Sequence, residues 1–306
     1  MKLYVPGYYK DFTCKADKCN HNCCIGWEID IDKETYTKYK NLRGKFGETI
    51  KSSIECNDGI YSFRLDKNDR CPHLDGNNLC TIITQLGESA LCQICRDHPR
   101  FKNYFTDRIE TGLGMCCEEA ARIILSCNHT FQLIEQKNAS TLSPTADESD
   151  FFEYRNKILS IICDRNTNIN LRLKKILCEN KVQMPDISIK RWFGLLSTLE
   201  FLDEKWHEIL KKAMNTDYES LNVLTPLQTE QLLVYFIFRH LPRGFETKDY
   251  RPQIAFSYLS ILIINELASF MGYTDLEDIT ELCRMYSSEI EYSDENLDLI
   301  FELLEK

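Results

Sequence analysis

The chain has 306 residues, of which 43% are hydrophobic and 27% are charged. This composition is ordinary for a globular protein, and the length is enough for about two domains. The formal net charge is −10, and residues 251–306 carry −9 of it, from 12 acidic and 3 basic side chains. Because no basic stripe stands out elsewhere, nucleic acid is not an expected partner. A solvated helical face is the simplest interpretation of the acidic C-terminal stretch.

Two features of the sequence bear on its location. The N-terminus, MKLYVPGYYKDF, has no apolar signal region. The longest apolar stretch, Ile254–Ile264, is shorter than the roughly 20 residues that a membrane span needs. Both features predict a cytoplasmic protein without a membrane partner. In that reducing compartment, fifteen cysteines favour metal binding or redox chemistry over disulfides.

The first half of the sequence predicts short elements that alternate with turns. Tyr61, Phe63 and Leu65 alternate with Ser62 and Arg64, which is typical of a strand. The other predicted elements are helices over Lys33–Asn41, Thr84–Cys92 and Glu118–Ser126, a turn over Asp75–Asn78 and a hairpin around Thr106-Asp107.

The second half predicts helices. A stretch rich in Ser, Thr, Asp and Pro, residues 138–150, predicts a linker before them. Thr225-Pro226-Leu227-Gln228 has the sequence of a capping box with proline at the first helical position, and Gly272 is placed to end a long apolar helix. The predicted helices are Phe152–Asn166, Ile187–Met214, Pro226–His240, Arg251–Met271 and a last helix that Ser293 caps and that ends near Leu304.

These patterns predict a mainly α fold with two domains. Residues 1–137 are expected to form a cysteine-rich α+β domain that binds a metal or a cluster, packed on an all-helical domain over residues 151–306. No complete G-x-G-x-x-G sequence follows a predicted strand, because Gly112-Leu113-Gly114 is only a fragment of one. A Rossmann fold is therefore not expected.

Twelve of the fifteen cysteines precede residue 128, and most of these fall into four groups. The groups are Cys14-x4-Cys19-x3-Cys23-Cys24, Cys71-x8-Cys80, Cys92-x2-Cys95 and Cys116-Cys117. Thiolates are soft ligands that select zinc, copper(I) or iron–sulfur clusters. Because the count exceeds one tetrahedral site, the spacing leaves open two mononuclear sites or one cluster with thiols left over.

The thiols are not equally good ligand candidates. Cys92 is also explained as part of the buried face of a helix. Cys116 and Cys117 are adjacent and point in different directions, so at most one of them is expected to be a ligand. Cys56 and Cys127 have no partner pattern and are interpreted as structural.

Sequence motifs along most of the chain resemble those of a known family. The motifs are Pro6-x-Tyr8-Tyr9-x2-Phe12-x-Cys14-x4-Cys19-x3-Cys23-Cys24-Ile25-Gly26-Trp27, Cys71-Pro72-x-Leu74-Asp75, Cys95-Arg96-x2-Pro99-Arg100, Cys117-x-Glu119-Ala120-Ala121-Arg122 and Tyr286-Ser287-x-Glu289-Ile290-Glu291. Together they resemble the flagellin lysine-N-methylases. The first half is also similar to the wider group of bacterial CxxCxxCC cysteine-cluster proteins.

The resemblance implies a protein-lysine N-methyltransferase that uses S-adenosylmethionine to methylate the ε-amine of lysines on flagellin. It also implies a cysteine-bound iron–sulfur cluster of the [4Fe–4S] type. By position, the matching metal ligands are Cys14, Cys19, Cys23, Cys24, Cys71, Cys80, Cys95 and Cys117. Cys92 and Cys116 fall outside the match.

Polar methyl transfer sets conditions on the site. A lysine ammonium, with an ordinary pKa of about 10.4, must lose its proton before the amine attacks a sulfonium. Tyr8, Tyr9 and Glu119 are the candidate catalytic residues, although core packing also explains the tyrosines. Arg96 and Arg100 are candidates for binding the carboxylate of S-adenosylmethionine bidentately, and pairing with cluster thiolates explains them equally well.

Two other functions stay open. One is a non-catalytic zinc- or cluster-binding module for protein interaction, which the missing Rossmann fingerprint favours. The other is an oxidoreductase or radical enzyme. The radical motif Cys-x3-Cys-x2-Cys is absent as written, because Gly26 stands where a third cysteine would follow Cys19 and Cys23. Metal identity separates zinc from a cluster, and S-adenosylmethionine binding separates a methyltransferase from a scaffold.

Overall fold

A computed structural model describes residues 1–137 and 141–305, and their contacts divide the chain into two compact units. The first, here called the cysteine unit, spans Thr13–Arg100. The second, here called the helical unit, contains Met1–Phe12 and the described residues from Phe101 onward.

Helices make up most of the described chain, which confirms the mainly α prediction. The α-helices are α1 (Lys33–Lys40), α2 (Gly44–Ser52), α3 (Thr81–Leu86), α4 (Gln93–Asp97), α5 (Glu118–Ser126), α6 (Ala146–Ile162), α7 (Ile169–Glu179), α8 (Ile189–Leu196), α9 (Glu204–Asn215), α10 (Pro226–His240), α11 (Arg251–Met271), α12 (Leu276–Tyr286) and α13 (Asp294–Leu304). The strands are β1 (Lys2–Pro6), β2 (Ile54–Asn57), β3 (Ile60–Phe63), β4 (Arg100–Tyr104), β5 (Arg108–Leu113) and β6 (Leu133–Lys137).

A small mixed sheet belongs to the helical unit. Its strand order is β4-β5-β1-β6, with β1 parallel to β5 from Lys2 opposite Arg108, and antiparallel to β6. The hairpin between β4 and β5 turns at Thr106-Asp107, as predicted. This sheet differs from the doubly wound parallel sheet of a Rossmann fold.

The unit boundaries differ from the predicted domains. Strand β1 pairs with β5 and β6, and this pairing joins both ends of the predicted domain 1–137 to the helical unit. The predicted linker 138–150 starts with three residues that lie outside the described part, and it ends inside α6. Thr145 and Glu148 form a capping box at the start of α6. The polar first turn of a capped helix has the composition of a linker, which explains the difference.

Helices α10 and α11 form the centre of the helical unit's core. Thr225 and Gln228 form the predicted capping box of α10, and Gly272, with φ of +71°, ends α11 as predicted. By length and composition α11 is apolar enough to cross a membrane, but 67% of its most apolar window is buried inside the protein. Its buried Ser257 and Ser260 donate to carbonyls one turn back, which suits a core helix.

Two other helix predictions need correction. The helix predicted over Thr84–Cys92 starts at Thr81 instead and ends before Gly87, whose φ is +86°. The helix predicted over Ile187–Met214 is two helices, α8 and α9. The sequence patterns also missed α2, α4, α7 and α12.

Candidate thiol cluster and a buried charge cluster

Backbone pairing in the cysteine unit brings distant cysteine groups together. The amide of Cys71 donates to the carbonyl of Cys24 at 2.8 Å, and Ile25 forms an isolated bridge with Arg70. This pairing joins the first cysteine group to the second, although nearly fifty residues separate them in the chain.

A turn and a helix cap place the remaining thiols. The Asp75 carboxylate accepts from two amides of its own turn, and this turn returns the chain to Cys80. Asp32 caps α1, and its second carboxylate oxygen accepts from the amide of Gln93 at 2.8 Å. Asp32 therefore holds the start of α4, where Cys92 and Cys95 lie, against the start of α1.

Six thiols of the cysteine unit lie close enough to influence one another electrostatically, and we call them the thiol cluster. They are Cys23, Cys24, Cys71, Cys80, Cys92 and Cys95. The Sγ atoms of Cys92 and Cys95 are 3.3 Å apart, well beyond the roughly 2.05 Å of a disulfide. All fifteen cysteines lie within the described residues, and none of them is in a disulfide.

The electrostatics of these thiols suit a bound cation. Burial raises the pKa of Cys71 to about 11, and it also raises the pKa of Cys80. The hydrogen bond within each neighbouring pair lowers the pKa of Cys23 and of Cys92, and it raises the pKa of their partners Cys24 and Cys95. Full deprotonation of the crowded thiols is therefore unfavourable without a compensating positive charge. As a soft donor set, they fit a thiophilic metal or an iron–sulfur cluster.

The thiols are chemically suitable metal ligands, but their side chains are not arranged as a complete metal site. Within residues 1–137 and 141–305, no group of three or more His, Cys, Asp or Glu side chains surrounds a point where a metal ion would bind. The thiol cluster is therefore a set of neighbouring candidate donors and not a formed metal site.

Three predicted ligands lie outside the thiol cluster. Cys14 is exposed and its sulfur accepts from the amide of Ala16 at 3.4 Å, while Cys19 is half-buried in the same unit. Cys117 belongs to the helical unit, at the N-cap of α5.

One member of the thiol cluster was absent from the predicted ligand set. Cys92 is fully buried beside Cys95, at the N-cap of α4. The available signal was the Cys92-x2-Cys95 spacing itself, which places two thiols on one side of a short helix.

The predicted cofactor-binding arginines lie at the end of the cysteine unit. Arg96 is exposed on α4. The guanidinium of Arg100 donates to the carbonyls of Arg96 at 3.3 Å and of His98 at 3.2 Å. Part of the hydrogen-bonding capacity of Arg100 is therefore used by its own chain segment.

The three predicted catalytic residues lie on neighbouring elements of the helical unit. Tyr8 and Tyr9 belong to a 3-10 helix, Gly7–Asp11, which packs on α5, and α5 carries Glu119. Among the described residues, the buried Tyr8 hydroxyl has no hydrogen-bond partner, and burial raises the pKa of Tyr8. Tyr8 therefore stays protonated at neutral pH. Both carboxylate oxygens of Glu119 accept from Arg122, at 2.7 and 2.8 Å.

A second polar group, which the sequence analysis missed, lies buried in the helical unit, and we call it the Glu291 cluster. Glu291 accepts from the Tyr235 hydroxyl at 2.9 Å, pairs with His240 at 2.6 Å and lies 3.4 Å from Arg239. Burial lowers the pKa of His240, and nearby Arg239 and His240 lower that of Glu291 despite its burial. The ionised carboxylate is thereby satisfied inside the core.

Gly114 makes room for the edge of the Glu291 cluster. A Cβ atom at Gly114 would lie 2.1 Å from the Tyr292 hydroxyl and 3.0 Å from Nη1 of Arg239. The Arg239 guanidinium lies over the rings of Phe101 and Tyr292, with centroid distances of 5.1 and 4.6 Å. Gly114 of the G-x-G fragment is thus required by packing.

The chain thus belongs to a class of protein that combines a thiol-rich unit with a helical unit containing buried ion pairs. Residues 111–306 match the model of the FliB lysine N-methylase C-terminal domain. This match covers more than half of the chain, so the chain belongs to that family, as the motifs predicted. The match starts at residue 111, so the thiol cluster lies before it.

Individual relatives carry related names. A Salmonella typhimurium protein and a Salmonella choleraesuis protein, each named lysine-N-methylase, are both 26% identical over 171 residues, or 52% of this chain and 40% of theirs. The flagellar biosynthetic protein FliU of Salmonella muenchen is 29% identical over 146 residues, or 44% of this chain and 83% of FliU. The chain thus spans about 40% of the length of the lysine-N-methylases that it matches. No solved structure matches it.

Proposed function

We propose that this protein is a lysine N-methyltransferase that acts on flagellin, with S-adenosylmethionine as methyl donor and with an iron–sulfur cluster bound by cysteines. The observation that carries the proposal is the family match over residues 111–306, together with the lysine-N-methylase names of two relatives. The flagellar name of the third relative supports flagellin as substrate.

The thiol cluster contains the proposed ligands of the iron–sulfur cluster. Five thiols belong both to the thiol cluster and to the set that matches the family motifs, namely Cys23, Cys24, Cys71, Cys80 and Cys95, and Cys92 lies beside Cys95. A bound [4Fe–4S] cluster would supply a redox-active, thiolate-held iron centre. Zinc is the alternative metal for the same thiols.

Proton removal from the substrate lysine is the task assigned to residues of this chain. Glu119 is the proposed base, because Arg122 holds both of its carboxylate oxygens in place. Tyr8 stays protonated, so its proposed role is to hold the amine by a hydrogen bond from its buried hydroxyl, with Tyr9 beside it. Desolvation at this buried surface would also favour the neutral amine.

The first experiment combines composition with activity on anaerobically purified full-length protein. We expect about four irons and four sulfides per chain with a broad absorption near ~400 nm. Incubation with flagellin and S-adenosylmethionine should add methyl groups to lysines, detected by peptide mass spectrometry. Glu119→Gln should lower methylation about 100-fold or more, in the range of general acid–base catalysis. The matched control, Glu118→Gln on the same helix, should keep wild-type activity.

The non-catalytic module remains a second candidate because of a specific observation. The cysteine unit lies before the family match and has its own buried core. Zinc without sulfide, together with no methylation of flagellin, would favour this module over the methyltransferase. The cytoplasmic location also stays a prediction.

A further inference from the structure

Two of the motifs that resemble the methylase family meet in the helical unit, although about 170 residues separate them in the chain. The first begins at Cys117 and covers the start of α5, where the proposed base Glu119 lies. The second ends at Glu291, in a π-helix over Ser287–Glu291 that follows α12 directly. A π-helix is rare and is often found at a functional site. The proposed function gives this second motif no task.

Tyr235 of α10 lies between the two motifs. Its hydroxyl donates to Glu291 at 2.9 Å, and it accepts from the amide of Met115 at 3.2 Å and from Nη1 of Arg239 at 2.8 Å. A hydroxyl offers one donor and two lone pairs, so the hydrogen-bonding capacity of this one is fully used. Because Tyr235 is only 1% exposed, water does not compete for these bonds. The hydroxyl therefore fixes the position of Met115 relative to the buried charges.

Met115 belongs to the turn that joins β5 to α5, and we call residues 114–117 the α5 turn. Its neighbours in this turn are held in the same region. A Cβ atom at Gly114 would collide with the Tyr292 hydroxyl, and that hydroxyl forms a hydrogen bond with the thiol of Cys116. Three successive residues of the α5 turn are therefore held in place by buried side chains.

The α5 turn also sets where α5 begins. Cys117 is the N-cap residue of α5, and its carbonyl accepts from the amide of Ala121 at 2.9 Å, which closes the first turn of the helix. Glu119 lies within that first turn, so a shift of Cys117 moves the carboxylate of Glu119 with it. Misplacement of a catalytic group by about 1 Å is enough to lower a rate about a hundredfold.

We propose that Tyr235 is a positioning residue for methyl transfer. It anchors the α5 turn to Glu291 and thereby holds the carboxylate of Glu119 where it accepts the proton of the substrate lysine. Glu291 orients the Tyr235 hydroxyl by accepting its hydrogen bond, and His240 and Arg239 hold Glu291 in turn. The role in methyl transfer rests on the proposed function, whereas the anchoring of the turn does not.

The first test measures amide hydrogen exchange in the full-length wild-type protein, purified anaerobically. Met115 lies outside both β5 and α5, so neither the sheet nor the helix supplies a partner for its amide. The bond to Tyr235 should make exchange at Met115 at least about 100-fold slower than in an unstructured peptide. Fragment mass spectrometry resolves the single amide. Exchange at the unstructured rate would overturn the anchor.

The second test removes only the hydroxyl. Tyr235→Phe keeps the ring and should speed exchange at Met115 at least about tenfold, while protection in α11 stays unchanged. It should also lower kcat for flagellin methylation about tenfold per folded molecule and keep KM for flagellin within about twofold. The matched control is Tyr286→Phe, because Tyr286 is just as buried and its hydroxyl donates to Ser260 of α11 at 2.8 Å. This control should change neither the exchange at Met115 nor kcat.

A further pair of variants moves the same turn without a change at Tyr235. Gly114→Ala forces the turn away from the Tyr292 hydroxyl, so kcat should fall at least about tenfold. Adding Tyr292→Phe removes the oxygen that the new Cβ atom meets, and it should restore at least about half of the wild-type rate. Unchanged kcat in Gly114→Ala would show that the position of the turn does not govern the rate.

The outcomes separate the anchor from the activity. Slow exchange at Met115, with faster exchange and a lower kcat in Tyr235→Phe alone, supports the assignment. If Tyr286→Phe lowers kcat to the same extent, the effect is one of core stability, so the positioning role is wrong and the proposed function stands. If wild-type protein does not methylate flagellin, the proposed function fails and the role in methyl transfer fails with it, whereas the exchange results still decide the anchor.

Discussion

The cysteine unit and the helical unit are stabilised in different ways. The cysteine unit has 88 residues but only ten buried hydrophobic residues in its core, and two of these, Cys71 and Cys92, are thiols. The helical unit has fifty buried hydrophobic residues in one continuous core. A small unit with so few core residues usually needs covalent or metal cross-links, whereas a large core is stable by itself.

Buried charges show the same contrast. In the helical unit, buried carboxylates are paired, for example Glu110 with Arg155 at 2.6 Å and Glu230 with Arg172 at 2.8 Å. Among the described residues of the cysteine unit, the buried polar side chains are Thr35, Ser62 and His73. The helical unit therefore gains specificity from internal ion pairs, and the cysteine unit depends on its thiols.

Removal of the proposed metal or cluster should have the largest effect, and it should be confined to one unit. Metal binding by thiolates contributes on the order of 10 kcal/mol to the folding of small domains. After chelation, hydrogen exchange should lose protection across Thr13–Arg100 and keep it in α10 and α11. The substitution Cys71→Ser should act in the same direction, and exposed Cys178→Ser should change nothing. Equal loss of protection in both units would contradict the view that only the cysteine unit depends on a metal or cluster.

Breaking a buried ion pair should destabilise the helical unit next most strongly. Glu110→Ala leaves the buried Arg155 guanidinium without its carboxylate, which should lower the free energy of unfolding by about 3–5 kcal/mol. The exposed pair of Asp147 and Lys248 is the control, and Asp147→Ala should cost about 0–1 kcal/mol. Urea denaturation measures both. Similar costs for the two variants would show that burial does not decide the effect.

The titration of Glu289 should make the free energy of unfolding depend on pH. Burial raises the pKa of Glu289 to about 7 in the folded protein, above the 4.5 of an ordinary glutamate. Because the pKa of Glu289 is higher in the folded than in the unfolded protein, its contribution to the free energy of unfolding is fully present below pH 4.5. This contribution, about 2–3 kcal/mol, is lost as the pH rises through 7. Urea denaturation at pH 5 and pH 8 should show this loss. Glu289→Gln should flatten the slope, and Glu295→Gln, at an exposed position of α13, should leave it unchanged.

Loss of a helix cap should have the smallest effect. The Thr225 side chain accepts from the amide of Gln228 at 3.2 Å, so Thr225→Ala should cost about 1 kcal/mol in thermal or urea unfolding. Ser188 is also an N-cap residue, of α8, but its side chain makes no capping hydrogen bond. Ser188→Ala should therefore be nearly neutral. Equal effects at both caps would mean that the hydrogen bond contributes little.

Sequence patterns predicted features whose interactions lie within a few residues. The capping box at Thr225, the left-handed Gly272 and the cap at Ser293 are each formed by contacts within about one helical turn, and all three predictions are confirmed. The same reasoning failed at the end of the predicted linker, where α6 begins at Ala146. A polar capped turn and a polar linker have the same composition, and the bond between Glu148 and Thr145 is what distinguishes them.

Features that depend on distant contacts were decided by the tertiary structure. The backbone hydrogen bond between Cys71 and Cys24 brings the first cysteine group to the second, and this contact does not follow from spacing along the chain. The same holds for the Glu291 cluster, whose members come from α10 and from the π-helix Ser287–Glu291 that follows α12.

Local sequence thus specified the helix caps at Thr225, Gly272 and Ser293, the concentration of thiols in the first half and the motifs that place the chain in its family. Packing specified the unit boundaries, the membership of the thiol cluster and the partners of the buried carboxylates. The physical reason is range: a cap or turn is stabilised by hydrogen bonds over three or four residues, whereas β1 pairs with β5 across about a hundred. Only burial of the whole core makes such long-range pairing favourable.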